Sequence, residues 1–491
     1  MRIAVIGSGF GGLAAAIRCQ AKGHHVEIFE KRDVAGGRAY VSEVNGHKFD
    51  NGPTIITAPW MIDELFAAAG KKTEDYVKLV KIDPFYKIKF DDGSCFTYND
   101  NQEFLLSEIR RFEPRDVSGY LSFMKHVEKI YHAGFRMITT PFHQFRKMLF
   151  ALPELIMLRS DRSVAALAKK YFRDERLQQV FSFHPLLIGG HPYKSTSVYA
   201  LIHKLEQESG VWFAMGGTGA LVQAFVRLFQ DIGGKIHLNE EVSRIGVESS
   251  SNKVSSITLK NGETKAFDRI ICNGEVCASY MNLIDAKVRR TNTNSRLKRL
   301  NQSMSLFVIF FGTNKRFDQI AHHEILMGPR YKGLLDDIFQ NKVLADDFSL
   351  YLHRPTATDP SLAPAGCDTF YVLSPVPNLH GNIDWNEVGP KYRDRILDYL
   401  DQRHMPGLKD SITTSFYVDP NHFEKNLNSH AGAAFSVAPT LFQSAWFRPH
   451  NKSEDVKGLY FTGAGTHPGA GVPGVLASGK IAADLVQTDQ I

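Results

Sequence analysis

Two glycine-rich stretches, one near each end of the 491-residue chain, have the spacing that lets a backbone approach phosphate. The first, Gly7-Ser8-Gly9-Phe10-Gly11-Gly12, follows the apolar run Ile3 to Ile6 and opens an alanine-rich helical stretch, Leu13 to Ala21. Gly7 permits a tight turn, Gly9 lets the backbone approach a pyrophosphate, and Gly12 lets helix and strand pack closely. The helix N-terminus adds free N–H groups and a positive dipole end. A second apolar strand, Val26 to Phe29, stops at Glu30, placed for its carboxylate to accept from a ribose 2′-hydroxyl. An acid there argues against a 2′-phosphate, because two negative groups would meet. A lone GxGxxG often marks a plain turn; strand, turn, helix, strand and acid together predict a dinucleotide site. The second stretch runs an apolar strand (Leu459 to Phe461) into Gly463-Ala464-Gly465, then through Pro473-Gly474-Val475 into a helix, Leu476 to Val486. It repeats the physics of the first: glycines near a ligand and a helix N-terminus aimed at an acceptor.

The elements that position these turns divide the chain. At 491 residues it exceeds one compact core, so two or three domains are expected. Segments 1–56, 211–290 and 455–491 read as one discontinuous nucleotide-binding domain. Within them, Met215 to Leu221 opens a helix, Lys235–Leu238 is a strand, and Thr258–Lys265 and Phe267–Cys272 read as further strands. Segments 57–102 and 291–454 read as a β-sheet substrate-binding domain, with strands at Ser305–Phe311 and Thr369–Leu373 and a helix at Pro390–Gln402. Segment 103–210 is helical. In it Phe142, Phe145, Met148, Leu149, Leu152, Leu155 and Ile156 recur every three or four residues. From Arg136 to Arg176 there are nine Lys/Arg against four Asp/Glu. An apolar face beside a basic face suits either a membrane interface or ordinary packing on its own domain.

Composition excludes several classes. The five cysteines are odd in number and scattered, with neither metal-ligand spacing nor a disulfide framework, which favours a reducing cytosolic compartment. Residues 1–30 do not read as a signal peptide, because the apolar run is short and the glycine turn begins at once. No run reaches the ~18 apolar residues of a membrane-spanning helix. Net charge is +6, without a nucleic-acid module or a Lys/Arg block, so no nucleic-acid partner is expected. A basic balance fits an anionic membrane surface equally well. The 34 Phe suit a greasy pocket or a large core.

Glu30 continues into Lys31, then Gly36-Gly37-Arg38, then Phe49-Asp50-Asn51-Gly52-Pro53-Thr54. This continuation resembles the FAD-binding flavoproteins that include amine oxidases, protoporphyrinogen oxidases and carotenoid desaturases. The stretch Gly458 to Val475 resembles the signature of bacterial-type, lycopene-forming phytoene desaturases; amine oxidases usually carry an acid where this chain has Ala464. Similar stretches run from end to end, among them Ser182-Phe183-His184, Phe348 to His353 and Gln443 to His450. The resemblance implies an amine-oxidase-like α/β flavoprotein with a Rossmann-type FAD domain. It implies FAD held by Gly7 to Gly12, Glu30, Lys31, Gly36, Gly37, Arg38, Pro53 and Thr54, by the backbone of Val242 beside the adenine, and by Gly463, Ala464, Gly465, Pro473, Gly474 and Val475 at the flavin. It also implies a C40 polyene, 15-cis-phytoene, dehydrogenated four times with cis–trans isomerisation. Quinone or oxygen would reoxidise the flavin, and the protein would sit peripherally on the cytoplasmic side of the bacterial inner membrane.

A hydrocarbon offers nothing to hydrogen-bond, so binding must come from apolar burial at roughly 25 cal/mol per Å². After hydride loss a base must take a proton. Candidates are Glu206, His467, His184 and His203. Glu206, just before the Gly210–Gly219 stretch expected near the flavin, reads either as a base or as a solvated helix carboxylate. His467 reads more readily as a residue positioning the loop. Trp446 reads as pocket wall or core, and Arg146-Lys147 as facing lipid head groups or water. Other readings are a C30 desaturase, an amine-oxidase-like enzyme, or a non-enzymatic prenyl binder like the Rab GDP-dissociation inhibitors; intact glycine turns at both ends count against the last. Oligomeric state is not legible.

Overall fold

Alternation along the first strand sets the architecture of the computed structural model, which describes residues 1–489; the last two residues of segment 455–491 lie outside the described residues. Arg2–Ile6 is the middle of a five-stranded parallel sheet in the order Leu459–Phe461, Arg269–Cys272, Arg2–Ile6, His25–Phe29, Lys235–His237. Ile3 and Val5 join a core with the helices Phe10–Ala21, Thr218–Asp231 and Val472–Thr488. Ala4 and Ile6 point the other way, onto an antiparallel sheet of Val242–Val247, Val254–Leu259 and Thr264–Ala266. With both faces covered, parallel strands read as continuous apolar runs. The stretch Thr258–Lys265 is not the single strand expected. The Asn261-Gly262 turn, with Gly262 at φ +91°, folds it into a hairpin that pairs Thr258 with Thr264.

A seven-stranded sheet forms the floor of the second region. Its order is Ile412–Val418, Ser305–Thr313, Asp368–Val376, Leu350–His353, His323–Leu326, Tyr86–Lys89, Cys95–Tyr98. It is antiparallel except where His323–Leu326 runs parallel to Tyr86–Lys89. Phe307, Ile309 and Phe311 share a core with the helix Trp385–Arg403, while Leu306, Val308 and Phe310 face inward. All nine residues of Ser305–Thr313 are therefore buried. The helix expected from Pro390 starts earlier because Asp384 caps it, accepting from Asn386 N.

Packing crosses the segments expected from sequence. Helix Pro59–Ala68, expected with the substrate-binding domain, inserts Met61, Ile62, Leu65 and Phe66 into the nucleotide-side core. Helix Asp116–Ile138 packs Tyr120, Phe123, Val127 and Ile130 in one core with Tyr86 and Phe96 of the floor. In helix Phe145–Met157 none of the residues is buried. Phe150, Met157 and Ile156 are 84%, 71% and 63% exposed. No helix among the described residues is long and apolar enough to cross a membrane.

Candidate cofactor and substrate cavity

The helices Phe10–Ala21 and Val472–Thr488 start without a side-chain cap and without an acid in their first turns. Their first N–H groups thus need partners from elsewhere. Gly9, Phe10 and Gly11 of one start, and Val472, Pro473 and Gly474 of the other, line a single cavity of about 1010 Å³. The two helices touch closely enough that a Cβ on Gly479 would lie 2.7 Å from the Gly11 carbonyl. Two positive dipole ends are thus delivered to one space. At the end of His25–Phe29, the buried Glu30 carboxylate accepts from Ser8 N (3.0 Å), Ser8 Oγ (2.7 Å) and Arg32 N (3.1 Å). Arg38 also lines the cavity. Burial lowers its pKa, its Nε has no partner, and its Nη2 donates to Ser429 Oγ. A buried guanidinium with a free donor suits an anion. The uncapped N–H groups, the held carboxylate and Arg38 fit the diphosphate and ribose of FAD.

Of the remaining residues expected around the cofactor, Gly36, Gly37, Pro53, Thr54, Gly463, Ala464 and Val475 line the cavity. Gly7, Ser8 and Gly12 build the turn beneath it; a Cβ on Gly12 would overlap the Gly7 carbonyl. Gly465 packs against Val276 and Ser436. Lys31 turns away, donating to Asn428 Oδ1 (2.9 Å). Val242 starts the outer antiparallel sheet, reached by the backbone bond from Glu240 N to Glu30 O (2.9 Å). Sequence reasoning missed Asn273, Gly274 and Glu275, which line the cavity directly after strand Arg269–Cys272. The signal was available: ligands bind beyond the carboxyl ends of parallel strands.

The Gly210–Gly219 stretch does not reach the cavity as expected. Trp212–Ala214 is held by pairing with Leu79–Lys81, and Gly217 presses on the side chain of Asp50. Asp50 is the group that reaches the cavity there. Its Oδ1 accepts from Thr218 N (2.7 Å) while Oδ2 has no partner, and burial pushes the carboxyl up to about 7.

Glu206 is not solvated. It is fully buried at the cavity wall, in helix Leu201–Ser209. Oε1 accepts from Tyr86 Oη (2.7 Å) and Oε2 lies 3.1 Å from His184 Nε2. Burial beside the Glu206 charge raises the Tyr86 pKa well above its usual value. His203 bonds through Nδ1 to Tyr98 Oη, and burial lowers its pKa far below normal. His467 also lines the cavity, but Nε2 lies 2.9 Å from the Met137 carbonyl and burial lowers its pKa to about 4. It joins the second glycine stretch to helix Asp116–Ile138. Trp446 packs edge-on against Phe145 at 4.9 Å, while its neighbours Ala445 and Phe447 line the cavity.

Most of the remaining lining is apolar. Leu306, Val308 and Phe310 form one wall; Leu149, Leu152 and Ile156 form another. The model of the family described as flavin containing amine oxidoreductase matches residues 10–487. The chain is 48% identical over 489 residues to a lycopene-forming phytoene desaturase of Pantoea ananas, covering 99% of each. It is 43% identical over 490 residues to a neurosporene-forming phytoene desaturase of Cereibacter sphaeroides, covering 99% of this chain and 94% of that one. Cyclohexylamine oxidase from Brevibacterium oxydans, 16% identical, superposes with a TM-score of 0.63 over 100% of this chain and 99% of the other.

Proposed function

Because this chain belongs to the phytoene desaturases of the flavin-containing amine oxidoreductase family, we propose that it converts 15-cis-phytoene to all-trans-lycopene by four successive dehydrogenations with cis–trans isomerisation. The observation that carries this reading is the single apolar cavity leading from two uncapped helix starts to a helix with no buried side. Bound FAD supplies the hydride acceptor. The chain's own residues align and dry the substrate. Leu306, Val308 and Phe310 give a stiff apolar floor, and Glu206, held by Tyr86 and His184, removes a proton beside the departing hydride. Helix Phe145–Met157 rests on the cytoplasmic side of the bacterial inner membrane and admits the polyene from the lipid. Quinone or oxygen reoxidises the cofactor.

The test is anaerobic. Protein loaded with FAD on liposomes containing phytoene should bleach its flavin and yield red all-trans-lycopene, with intermediates counting the steps. Flavin that stays yellow without pigment would overturn the substrate assignment, and the C30 analogue would be tried next. Glu206→Gln should keep its FAD and lose roughly 10²–10⁴ in rate.

A further inference from the structure

A second polar array interrupts the apolar cavity, next to the Tyr86 that donates to Glu206. Thr54, Tyr351 and Tyr371 reach the cavity from the end of His47–Asn51 and from two floor strands. Thr54 Oγ1 lies 2.6 Å from Tyr371 Oη and 3.1 Å from Tyr351 Oη. Behind them, Tyr351 Oη is 2.7 Å from His323 Nδ1, and His323 Nδ1 is 3.3 Å from His353 Nδ1. His353 Nε2 is 3.9 Å from Asp50 Oδ2. Tyr351 is partly accessible, whereas His323 and His353 are wholly buried. The outer nitrogens of both histidines and Asp50 Oδ2 have no partners.

This arrangement leaves Asp50 Oδ2 open to receive one proton. Two Nδ1 atoms that face each other cannot both present lone pairs without repulsion, so a proton between them is favoured. Buried polar atoms left unpaired are costly, which a purely structural network would avoid. We infer that Tyr351, His323, His353 and Asp50 form a proton-accepting chain that receives the hydrogen ion released when the substrate is dehydrogenated. The inference rests on the reading given under Proposed function and adds a second outlet beside Glu206.

The step balances. Two C–H bonds break and one C=C bond forms. One hydrogen leaves with its electron pair to the bound FAD; the other leaves as a proton, and its electron pair stays in the new π bond. Tyr351 Oη takes that proton as its own passes to His323 Nδ1. His323 passes the proton already on its Nδ1 to His353 Nδ1 as the one from Tyr351 replaces it, and His353 releases the proton on Nε2 to Asp50 Oδ2. Tyr351 is the catalytic residue; His323, His353 and Asp50 act through it.

The groups facing the chain are few. His322 lies beside both histidines, 4.4 Å from His323 and 4.9 Å from His353 by ring centroids, and is itself bonded to Thr358 Oγ1 (2.6 Å). Arg354 follows His353 but is engaged by Asp318 and Asp368. Tyr86 packs on His323. Asp50 is faced by Tyr351 and Tyr371, by the amides of Thr218 and Gly219, and by the charge of Asp359. Burial keeps all three histidines neutral, and Asp50 empties its proton near pH 7. The chain is open above that value and filled below it.

The deciding experiment uses the FAD-loaded protein on phytoene liposomes in single turnover, with infrared spectroscopy of the carboxyl stretch. Wild type should speed up as pH rises through about 7 and show a protonated carboxyl band that fades over the same range. The band should survive Glu206→Gln and vanish in Asp50→Asn. Tyr351→Phe removes one hydroxyl from a ring that keeps its packing; it should lose roughly a hundredfold in rate and flatten the pH profile. Tyr351→Phe within about threefold of wild type with an unchanged profile would overturn the chain. So would stoichiometric zinc or copper in the purified protein, because a metal would occupy the ring nitrogens. If wild type itself makes no pigment, the inference falls with the substrate assignment; if only the chain is wrong, wild type and Tyr351→Phe desaturate alike.

Discussion

Leu306, Val308 and Phe310 on one side of the cavity, and Leu149, Leu152 and Ile156 on the other, are equally apolar and line the same space. Their outer sides differ. The floor strand Ser305–Thr313 is covered on both faces and has no exposed residue. Helix Phe145–Met157 has no buried residue, and Phe150 and Met157 stand in the open. Apolar side chains on a half-covered helix mark a surface awaiting cover, whereas the same side chains in a doubly covered strand are structural. Under the proposed function the floor would fix where the substrate lies and the helix would govern how it arrives.

The sharpest way to break this contrast is to shorten one side chain in each wall. Phe310→Ala should cost about 3–5 kcal/mol in denaturant unfolding, as large-to-small changes do in packed cores. Phe150→Ala should stay within about 0.5 kcal/mol, because its ring is already in the open. Equal losses would mean that the helix is part of the core after all.

Acid should act where the second glycine stretch meets helix Asp116–Ile138. His467 has a folded pKa of about 4 against the ordinary 6.5. A lowered value means that stability is complete above about 6.5 and is lost as pH falls through about 4. The loss over that window is on the order of 3 kcal/mol. Chemical unfolding measured across the window should show it, and His467→Gln should shrink the slope; an unchanged slope would assign the acid sensitivity to His191 or His353.

Smaller effects belong to the open helix. Replacing Phe150, Ile156 and Met157 together by Ser should leave FAD content and unfolding midpoint unchanged while weakening liposome sedimentation by roughly tenfold or more. Retained sedimentation would move the membrane contact elsewhere. Arg146→Gln and Lys147→Gln should each weaken binding to anionic vesicles by about fivefold, and salt should erase the difference.

Much of this was legible in the residues. Alternation in Ile3 to Ile6, the glycines after it and the acid at Glu30 are local signals, and they place the nucleotide-side fold. The periodic apolar residues from Phe145 to Ile156 likewise announced a helix, though not that its apolar side would stay open. Illegible were the partners that only tertiary pairing creates. Tyr351 meets Thr54, 297 residues away, because strand Leu350–His353 pairs inside the floor. Glu206 read either as a base or as a solvated carboxylate, because nothing near it in sequence says that Tyr86, 120 residues earlier, donates to it. Asp50 carried no motif of its own; its raised pKa follows from burial beneath Gly217.

The bond between His467 and the Met137 carbonyl ties the last turn of helix Asp116–Ile138 to the loop that leads into Pro473 and Gly474. Cofactor affinity and the ordering of that helix end are therefore expected to be linked quantities. By thermodynamic reciprocity, whatever factor FAD adds to the ordering of that helix end, ordering of the helix end returns to FAD.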